Sequence, residues 1–332
     1  MTSDALAGGR ILREPAGFEN GYWAGAPGVF HAREEKAWYL TYRIRRPRDV
    51  APDRGGEARI ARSTDLKKWQ DVWSVTKDRF GSASIERCAL RHGPDGHWRY
   101  FVSYVDPADG RWCVSVIKSP EIQGLDAATA RPVFKAHLLG LEGVKDPWIF
   151  EHHGMFHMIL SVAMPTAKTG AQSHASLDIF NTGECVSATG LATSADLDQW
   201  EWQGVIFAPE GSGWDRYCRR INSIVPYREL FFAFYDGSAS HTENYEEKTG
   251  LAVSSDLRTW KSLAVREPMF TSPHGSGSLR YMDAQIIGEE VCLFYEFARP
   301  DGAHDLRLAT VKLDALPFPQ GGASRTNPSP AT

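Results

Sequence analysis

The sequence predicts an all-β chain that forms a five-bladed β-propeller of four-stranded antiparallel blades. Three observations predict it: an internal repeat, strand-like runs joined by hairpin turns, and the lack of any long helical pattern. No linker divides the chain, so we expect a single domain over residues 1–316. The Pro/Gly/Ser-rich stretch 317–332 is expected to be a disordered tail.

A seven-residue repeat marks the ends of strands. Each copy reads Ser-x-Asp-Leu-x-x-Trp and follows a short β-rich run; the copies are Ser63–Trp69, Ser194–Trp200 and Ser254–Trp260. The Ser and Asp side chains can cap the amides of a turn. The first two copies lie about twice as far apart as the last two, which fits a decayed copy at Ser119–Leu125. We expect the Leu and Trp of the repeat to fill joints between units.

Each repeat belongs to a unit of four strands. Two further strand-like runs precede every copy, for example 145–150 and 155–160 with a hairpin turn between them. Such a unit cannot bury both faces alone, so stacking around an axis must supply the core. The fifth unit lacks a fourth strand, and the run Arg10–Leu12 is expected to supply it and to cover an exposed edge.

The composition excludes several classes of partner. The net charge of −4, from 37 basic and 41 acidic residues, gives no cationic surplus for nucleic acid. The N-terminal residues do not resemble a secretory signal, and no apolar run is long enough to span a membrane, so we expect a cytoplasmic protein without membrane contact. The 5 Cys form no Cys-x-x-Cys pair and the His are scattered, which argues against a transition-metal site.

The candidate catalytic residues are three carboxylates. In a propeller the leading ends of the first strands converge on one mouth of the central channel, and Glu86, Asp146 and Asp283 lie at such ends. Converging carboxylates raise one another's pKa, which keeps one of them protonated near neutral pH. Glycoside cleavage needs such an acid beside an ionised carboxylate. The structural alternative for Glu86 is an ion pair with Arg87 or Arg220.

Arginines and aromatic residues around this mouth are expected to bind a carbohydrate. A buried Arg220 must be paired, so it either neutralises the carboxylates or holds an anionic or hydroxyl-rich ligand. Aromatic rings could stack on sugar rings, although core packing explains any one of them equally well. Two long loops, 164–178 and 238–247, could cover the pocket. The expected substrate-binding residues are Trp23, Arg87, Trp148, Arg220, Asn222, Tyr235, Tyr281, Glu296 and Arg299.

The segment Val144–Phe150, with its Asp-Pro step, resembles the third-blade motif of glycoside hydrolase family 43. The repeat turns are typical of that family and of its five-bladed relatives, which include families 32, 68, 117 and 130. The resemblance covers residues 23–313 in architecture and implies that Asp146 orients the sugar and tunes a neighbouring acid. The chain lacks the family's first-blade Asp, within 24–30, and its fourth-blade Glu, within 219–223. The resemblance is therefore to the superfamily and to no single family.

The leading expectation is an exo-acting glycoside hydrolase that cleaves a small oligosaccharide or glycoside with Glu86, Asp146 and Asp283. One alternative is a phosphorylase of the family 130 type, in which arginines hold phosphate. Another is a carbohydrate-binding propeller without catalysis. No cofactor is required, although a calcium ion could fill the lower channel, as in several related propellers. The sugar, its linkage and anomeric configuration, inversion or retention, and the oligomeric state are left open.

Overall fold

Residues 2–318 are described by a computed structural model, and strands dominate them. One short α-helix, Ser3–Ala7, precedes the first strand. The remaining helices are 3-10 turns: Lys77–Phe80, Ile122–Gly124, Ala127–Thr129, Ala136–Leu139, Ile179–Asn181, His241–Glu243 and Leu313–Ala315. Within residues 2–318, no helix is long and apolar enough to cross a membrane. The prediction of an all-β chain is confirmed.

Antiparallel pairing joins the strands into five meanders of four strands each. The first comprises β2 (Trp23–Ala32), β3 (Ala37–Arg46), β4 (Arg54–Ser63) and β5 (Gln70–Thr76). The second comprises β6 (Ala89–His92), β7 (Trp98–Val105), β8 (Trp112–Ser119) and β9 (Arg131–Lys135). The third comprises β10 (Gly143–His152), β11 (Met155–Pro165), β12 (Cys185–Ser194) and β13 (Glu201–Phe207). The fourth comprises β14 (Cys218–Tyr227), β15 (Leu230–Ser238), β16 (Lys248–Ser254) and β17 (Lys261–Ser262). The fifth comprises β18 (Leu279–Ile287), β19 (Glu290–Ala298), β20 (His304–Lys312) and the N-terminal β1 (Arg10–Arg13).

The N-terminal strand completes the fifth meander. Strand β1 runs antiparallel to β20, with Arg10 opposite Leu308. Leu12 of β1 is buried, and the Tyr295 hydroxyl of β19 donates a hydrogen bond to the Leu6 carbonyl. The prediction that residues 10–12 supply this outer strand is confirmed, and the edge of β20 is covered.

The three repeats form the same turn at the end of the third strand of a meander. In each copy the indole N–H of the Trp donates to the carbonyl of the Leu at 3.1 Å. In each copy the Asp carboxylate also accepts two backbone amides. The Leu adopts a left-handed conformation, with φ of 59°, 67° and 64° at Leu66, Leu197 and Leu257. The decayed copy starts at Ser119, the last residue of β8.

Six hydrophobic clusters hold the meanders together, and each is shared between two neighbours. Phe101 of β7 packs in a cluster with Met158 of β11, which joins the second meander to the third. Leu40 of β3 packs in a cluster with Phe294 of β19, which joins the first meander to the fifth. Stacking between units therefore supplies the core, because each apolar face of a meander is covered by the next.

The first residues of the predicted tail contact the core. Phe318 is buried and stacks on Phe232 with ring centroids 4.2 Å apart. The boundary at residue 317 and the disorder beyond it stay predictions. The rest of the predicted tail, 319–332, lies outside the described residues.

Candidate active site

Three first strands are bulged where they approach one another. Ala26, Asp146 and Tyr281 have φ of 52°, 57° and 54°, a region that residues other than glycine rarely adopt. The backbone amide of each residue donates a hydrogen bond to a side chain on the second strand of the preceding meander. The acceptors are Glu296 for Ala26 at 3.2 Å, Ser103 for Asp146 at 3.1 Å and Asp236 for Tyr281 at 3.0 Å. These bonds hold a conformation that costs free energy, a pattern often found at functional sites.

The bulges surround a small buried pocket to which all five meanders contribute. Trp23, Glu86, Lys145, Arg220 and Tyr281 line it, one from each meander in chain order. Its volume is about 10 Å³, which is room for one water-sized sphere. A sugar can therefore enter only if lining side chains or covering loops move.

The pocket is built around a chain of side chains with alternating charge. Arg43 contacts Glu86 at 2.5 Å on one side and Glu296 at 3.4 Å on the other. Arg280 contacts Glu296 and Glu247, each at 2.6 Å. The chain runs in the order Arg45, Glu86, Arg43, Glu296, Arg280, Glu247, Arg220. Because every charge has a partner of opposite sign, the protein can bury this many ionised groups in one place.

Glu86 lies in the pocket as an ionised carboxylate. Burial alone would raise its pKa, but the charges of Arg43, Lys145 and Arg45 outweigh burial and lower the pKa to about 2. Glu86 also accepts a hydrogen bond from the Tyr281 hydroxyl at 3.5 Å. The ion pair that we considered for Glu86 exists, but its partners are Arg43 and Arg45, on the neighbouring β3, and not Arg87 or Arg220.

Asp146 lies beside the pocket. One carboxylate oxygen accepts the Arg87 amide at 3.3 Å. The other lies 3.5 Å from the Lys145 ammonium and has no hydrogen-bond partner. A carboxyl oxygen with an unused acceptor position next to the pocket fits a residue that positions a ligand or a neighbouring group.

Asp283 is not placed for proton transfer. One carboxylate oxygen accepts from the Val29 amide at 2.9 Å, the Arg87 guanidinium at 3.2 Å and the Trp148 indole at 3.2 Å. The other accepts from Gln285 at 2.6 Å. Asp283 does not line the pocket and protein donors contact both of its carboxylate oxygens, so this geometry does not favour the predicted catalytic role.

Arg87 ties the meanders together and does not bind substrate from the pocket wall. Its guanidinium donates to the carbonyls of Pro27 and Asn222, each at 2.7 Å, and to Asp283. Its backbone amide also bonds Asp146, so Arg87, which belongs to the second meander, contacts each of the other four meanders. Its side chain is saturated by protein acceptors, which corrects the substrate-binding prediction.

Three other predicted binding residues point away from the pocket. The Trp148 ring packs on Phe150 with centroids 5.2 Å apart, and its N–H bonds Asp283. The Tyr235 hydroxyl bonds Asp215 at 2.7 Å on the far side of β15. The third is Arg299, which pairs at the protein surface with Glu14 and with Asp301. Strand alternation explains the first two corrections, because adjacent residues face opposite sides of a sheet.

Trp23 lines the pocket, but neither face of its ring is free to stack on a sugar. The Trp23 ring is covered by the guanidinium groups of Arg45 and Arg280, 4.6 and 4.7 Å from its centroid, and by the stacked ring of His304. The stacking platform expected at Trp23 is therefore wrong, and its indole N–H, which has no partner, is the group left for a ligand. Asn222 is buried beside Asp236.

Sequence reasoning understated the contribution of the second strands. Arg43 of β3 lines the pocket, and Asp236 of β15 bonds the Tyr281 amide behind it. Glu296 of β19, which was expected to bind substrate, pairs with Arg43 and Arg280. A Cβ atom on Gly25 would lie 1.9 Å from a Glu296 carboxylate oxygen. Glu296 thus fills the space that a longer side chain at position 25 would need, in the stretch where the family 43 Asp is missing.

Asp236 is a carboxyl group whose pKa is raised, in contrast to Glu86. Burial raises its pKa to about 6, against the opposing effects of Arg220 and Arg280 and of the Tyr281 amide. The sequence points to the end of β15 through Tyr235, and the residue that bonds the Tyr281 amide is its neighbour Asp236. The signal that could have found it is the alternation of β15, whose apolar residues Phe232 and Phe234 share its face.

Both predicted covering loops contribute to the pocket. Asp178 and Asn181 come from the loop after β11, and Tyr245 comes from the loop after β15. The loops are joined by a hydrogen bond from the Tyr245 hydroxyl to Asp178. Arg54 of the first meander donates to the Leu177 carbonyl at 2.9 Å, so the cover is fastened on two sides.

No metal centre is defined by the described part of the chain. Within residues 2–318, no group of three or more His, Cys, Asp or Glu side chains could hold a metal ion. A calcium ion in the lower channel stays a prediction.

Solved structures share this fold along nearly the whole chain. The BT0996 RGII complex is 17% identical, with a TM-score of 0.65 over 98% of this protein and 95% of that one. A thermostable family-43 glycoside hydrolase is 12% identical, with a TM-score of 0.63 over 91% and 92%. The β-1,2-mannobiose phosphorylase from Listeria innocua, in complex with β-1,2-mannobiose, is 11% identical, with a TM-score of 0.60 over 92% and 93%.

These neighbours match the propeller glycoside hydrolase superfamily that the sequence resembles, and they assign the chain to no single family. At such identities the likeness establishes the fold alone. No protein-family model matches the chain, and no curated protein matches it.

Proposed function

We propose that the protein is a glycoside hydrolase whose five meanders are the blades of one closed propeller. The shared clusters, including the one between the fifth and first meanders, support closure. The bonds of Arg87 to the other four meanders support a common centre. The neighbours support carbohydrate chemistry, because most of them are glycoside hydrolases.

The observation that carries the function is a pair of carboxyl groups with opposite pKa shifts that both bond Tyr281, Glu86 at its hydroxyl and Asp236 at its amide. Glu86 has a pKa lowered to about 2, and Asp236, directly behind Tyr281, has a pKa raised to about 6. Environments that separate two carboxyl pKa values in this way define acid and base in glycosidases. Glycosidic cleavage needs both roles.

We assign the roles from these states. Asp236 is fully buried behind Tyr281, so it donates the proton to the leaving oxygen only after the pocket wall at Tyr281 has moved. Glu86 acts as the ionised carboxylate that activates water or stabilises the cationic sugar. Asp146 holds the ligand or a neighbouring group in position through its free oxygen. Asp236 takes the place that the sequence had given to Asp283. A covered pocket of this kind admits a chain end rather than the middle of a polymer, which supports exo action.

The first experiment is a screen of chromogenic glycosides and short oligosaccharides, with and without inorganic phosphate. Wild type is compared with Glu86→Gln, Asp236→Asn and Asp146→Asn, and Val205→Ala, an exposed position on β13, is the control. We expect phosphate-independent turnover that falls at least about 100-fold in Glu86→Gln and Asp236→Asn, as for loss of a general acid or base.

The outcomes separate the alternatives. Turnover that requires phosphate would identify a phosphorylase. Saturable sugar binding without any turnover would identify a binding propeller. Full activity in folded Glu86→Gln would refute the assignment of Glu86.

A further inference from the structure

The pocket contains buried hydrogen-bond donors that no protein group accepts. The Trp23 indole N–H, a terminal N–H of Arg43 and the Nε–H of Arg220 all lack partners. The three residues are each no more than 2% exposed, and all three line the pocket. A buried donor without an acceptor costs about 1–3 kcal/mol, so these groups indicate a missing ligand.

We propose that this donor set binds the carboxylate of a uronosyl unit, so that the substrate is an acidic glycoside. The inference rests on the proposed function and names its substrate class. Among the lining residues, the unpartnered buried atoms are all donors. A carboxylate only accepts hydrogen bonds, whereas a sugar hydroxyl must also donate one. Guanidinium groups are the side chains best suited to carboxylates.

The charges in the pocket favour one negative charge over two. Arg43 and Arg220 are each already paired with a glutamate that lines the same cavity, Glu86 and Glu247 respectively. A phosphate dianion would be repelled by both glutamates, and a carboxylate meets half of that repulsion. The occupant is therefore an anionic group on the sugar, held at the end of the pocket where Trp23 and Arg43 lie close together.

Isothermal titration calorimetry on the full chain tests this without requiring turnover. The probes are glucuronate and galacturonate, the matching neutral sugars glucose and galactose, and inorganic phosphate. We expect one of the two uronates to bind at least about tenfold more tightly than its neutral counterpart, as for one charged hydrogen bond. Phosphate should neither bind saturably nor compete.

Trp23→Phe supplies a minimal variant, because it removes the N–H donor and keeps an aromatic ring between the arginines. We expect it to weaken uronate binding about tenfold and to change neutral-sugar binding less than about threefold. Trp148→Phe is the matched control, since it removes an indole N–H that bonds Asp283 outside the pocket. Uronate affinity in that control should equal that of wild type.

The outcomes separate this inference from the hydrolase proposal. Uronate binding without cleavage of any uronoside would keep the acidic ligand and overturn hydrolysis. Cleavage of neutral glycosides with no preference for uronates would keep hydrolysis and overturn the acidic substrate. Saturable phosphate binding that Trp23→Phe abolishes, or no uronate binding at all, would also overturn it.

Discussion

Arg87 shows how the centre of this molecule is held by single side chains. It is 1% exposed, and it donates to Pro27, Asn222 and Asp283 from three different meanders. A buried charge that satisfies carbonyl groups as well as a carboxylate fixes the relative positions of the strands that carry them. The role is structural, although the residue stands next to the catalytic candidate Glu86.

We expect Arg87→Met to lower the free energy of unfolding by about 3–5 kcal/mol, because it leaves Asp283 and two carbonyls without their donor. Urea unfolding followed by tryptophan fluorescence measures this. Arg299→Met, at the surface, should change stability by less than about 0.5 kcal/mol. A loss below about 1 kcal/mol in Arg87→Met would show that Arg87 does not tie the meanders.

The opposite pKa shifts of Glu86 and Asp236 predict a pH profile. Glu86, with its pKa lowered to about 2, stays ionised throughout the working range. Asp236, with its pKa raised to about 6, loses its proton as the pH rises through that value. We therefore expect kcat/KM to be highest on the acid side and to fall tenfold per pH unit above about pH 6.

Asp236→Asn should remove this alkaline limb along with most of the activity, and the residual rate should not depend on pH between 5 and 8. The profile is measured on the best substrate from the glycoside screen. A limb that persists unchanged in Asp236→Asn would assign the titration to another group.

At the scale of elements, prediction from the sequence is correct where a structure depends on neighbouring residues. It fails where strands from distant parts of the chain meet. The turns at Ser63–Trp69 and its copies are local, since the Asp and Trp bond groups within four residues, and the sequence predicted them correctly. The leading ends of the first strands were also predicted. Arg43 and Asp236 were missed because their roles depend on which first strand lies opposite, and sequence spacing does not give that distance.

The N-terminal strand offers a direct test of element-level reasoning. Leu12 of β1 is 9% exposed and packs against the fifth and first meanders, whereas Ile11 beside it is 41% exposed. We expect Leu12→Ala to cost about 2–3 kcal/mol through lost burial and the cavity it leaves. Ile11→Ala should cost less than about 1 kcal/mol, measured by thermal or urea unfolding. Equal losses would mean that β1 does not close the fifth meander as described.

At the scale of the whole molecule, the proposed closure of the ring would explain why the site can be so highly charged. Each meander shares an apolar cluster with both neighbours, and in a closed ring this packing would hold the seven alternating charges in register. A looser assembly would let water in and would weaken every ion pair in the pocket. Closure would also limit entry to movements of the two covering loops and of the lining side chains.

A closed ring should unfold as one unit, whereas an open stack of repeats can lose a terminal unit first. The positions of the tryptophans make this testable, because all 11 lie between residues 23 and 260 and none lies in β18, β19 or β20. Fluorescence therefore reports mainly on the first four meanders, with Trp23, Trp69 and Trp148 also sensing their contacts with the fifth, and far-UV circular dichroism reports on all five. We expect the two urea transitions to coincide.

Two matched variants test whether the fifth meander unfolds together with the other four. Phe294→Ala removes a buried ring between the fifth and first meanders, and Phe101→Ala removes one between the second and third. Each should lower stability by about 3–5 kcal/mol, and in each both probes should shift together, because opening a closed ring at either joint uncovers an apolar face on each of the two meanders that met there. If Phe294→Ala shifted the dichroism to lower urea while the fluorescence transition stayed in place, the fifth meander would unfold on its own, and the closed ring would have to be abandoned.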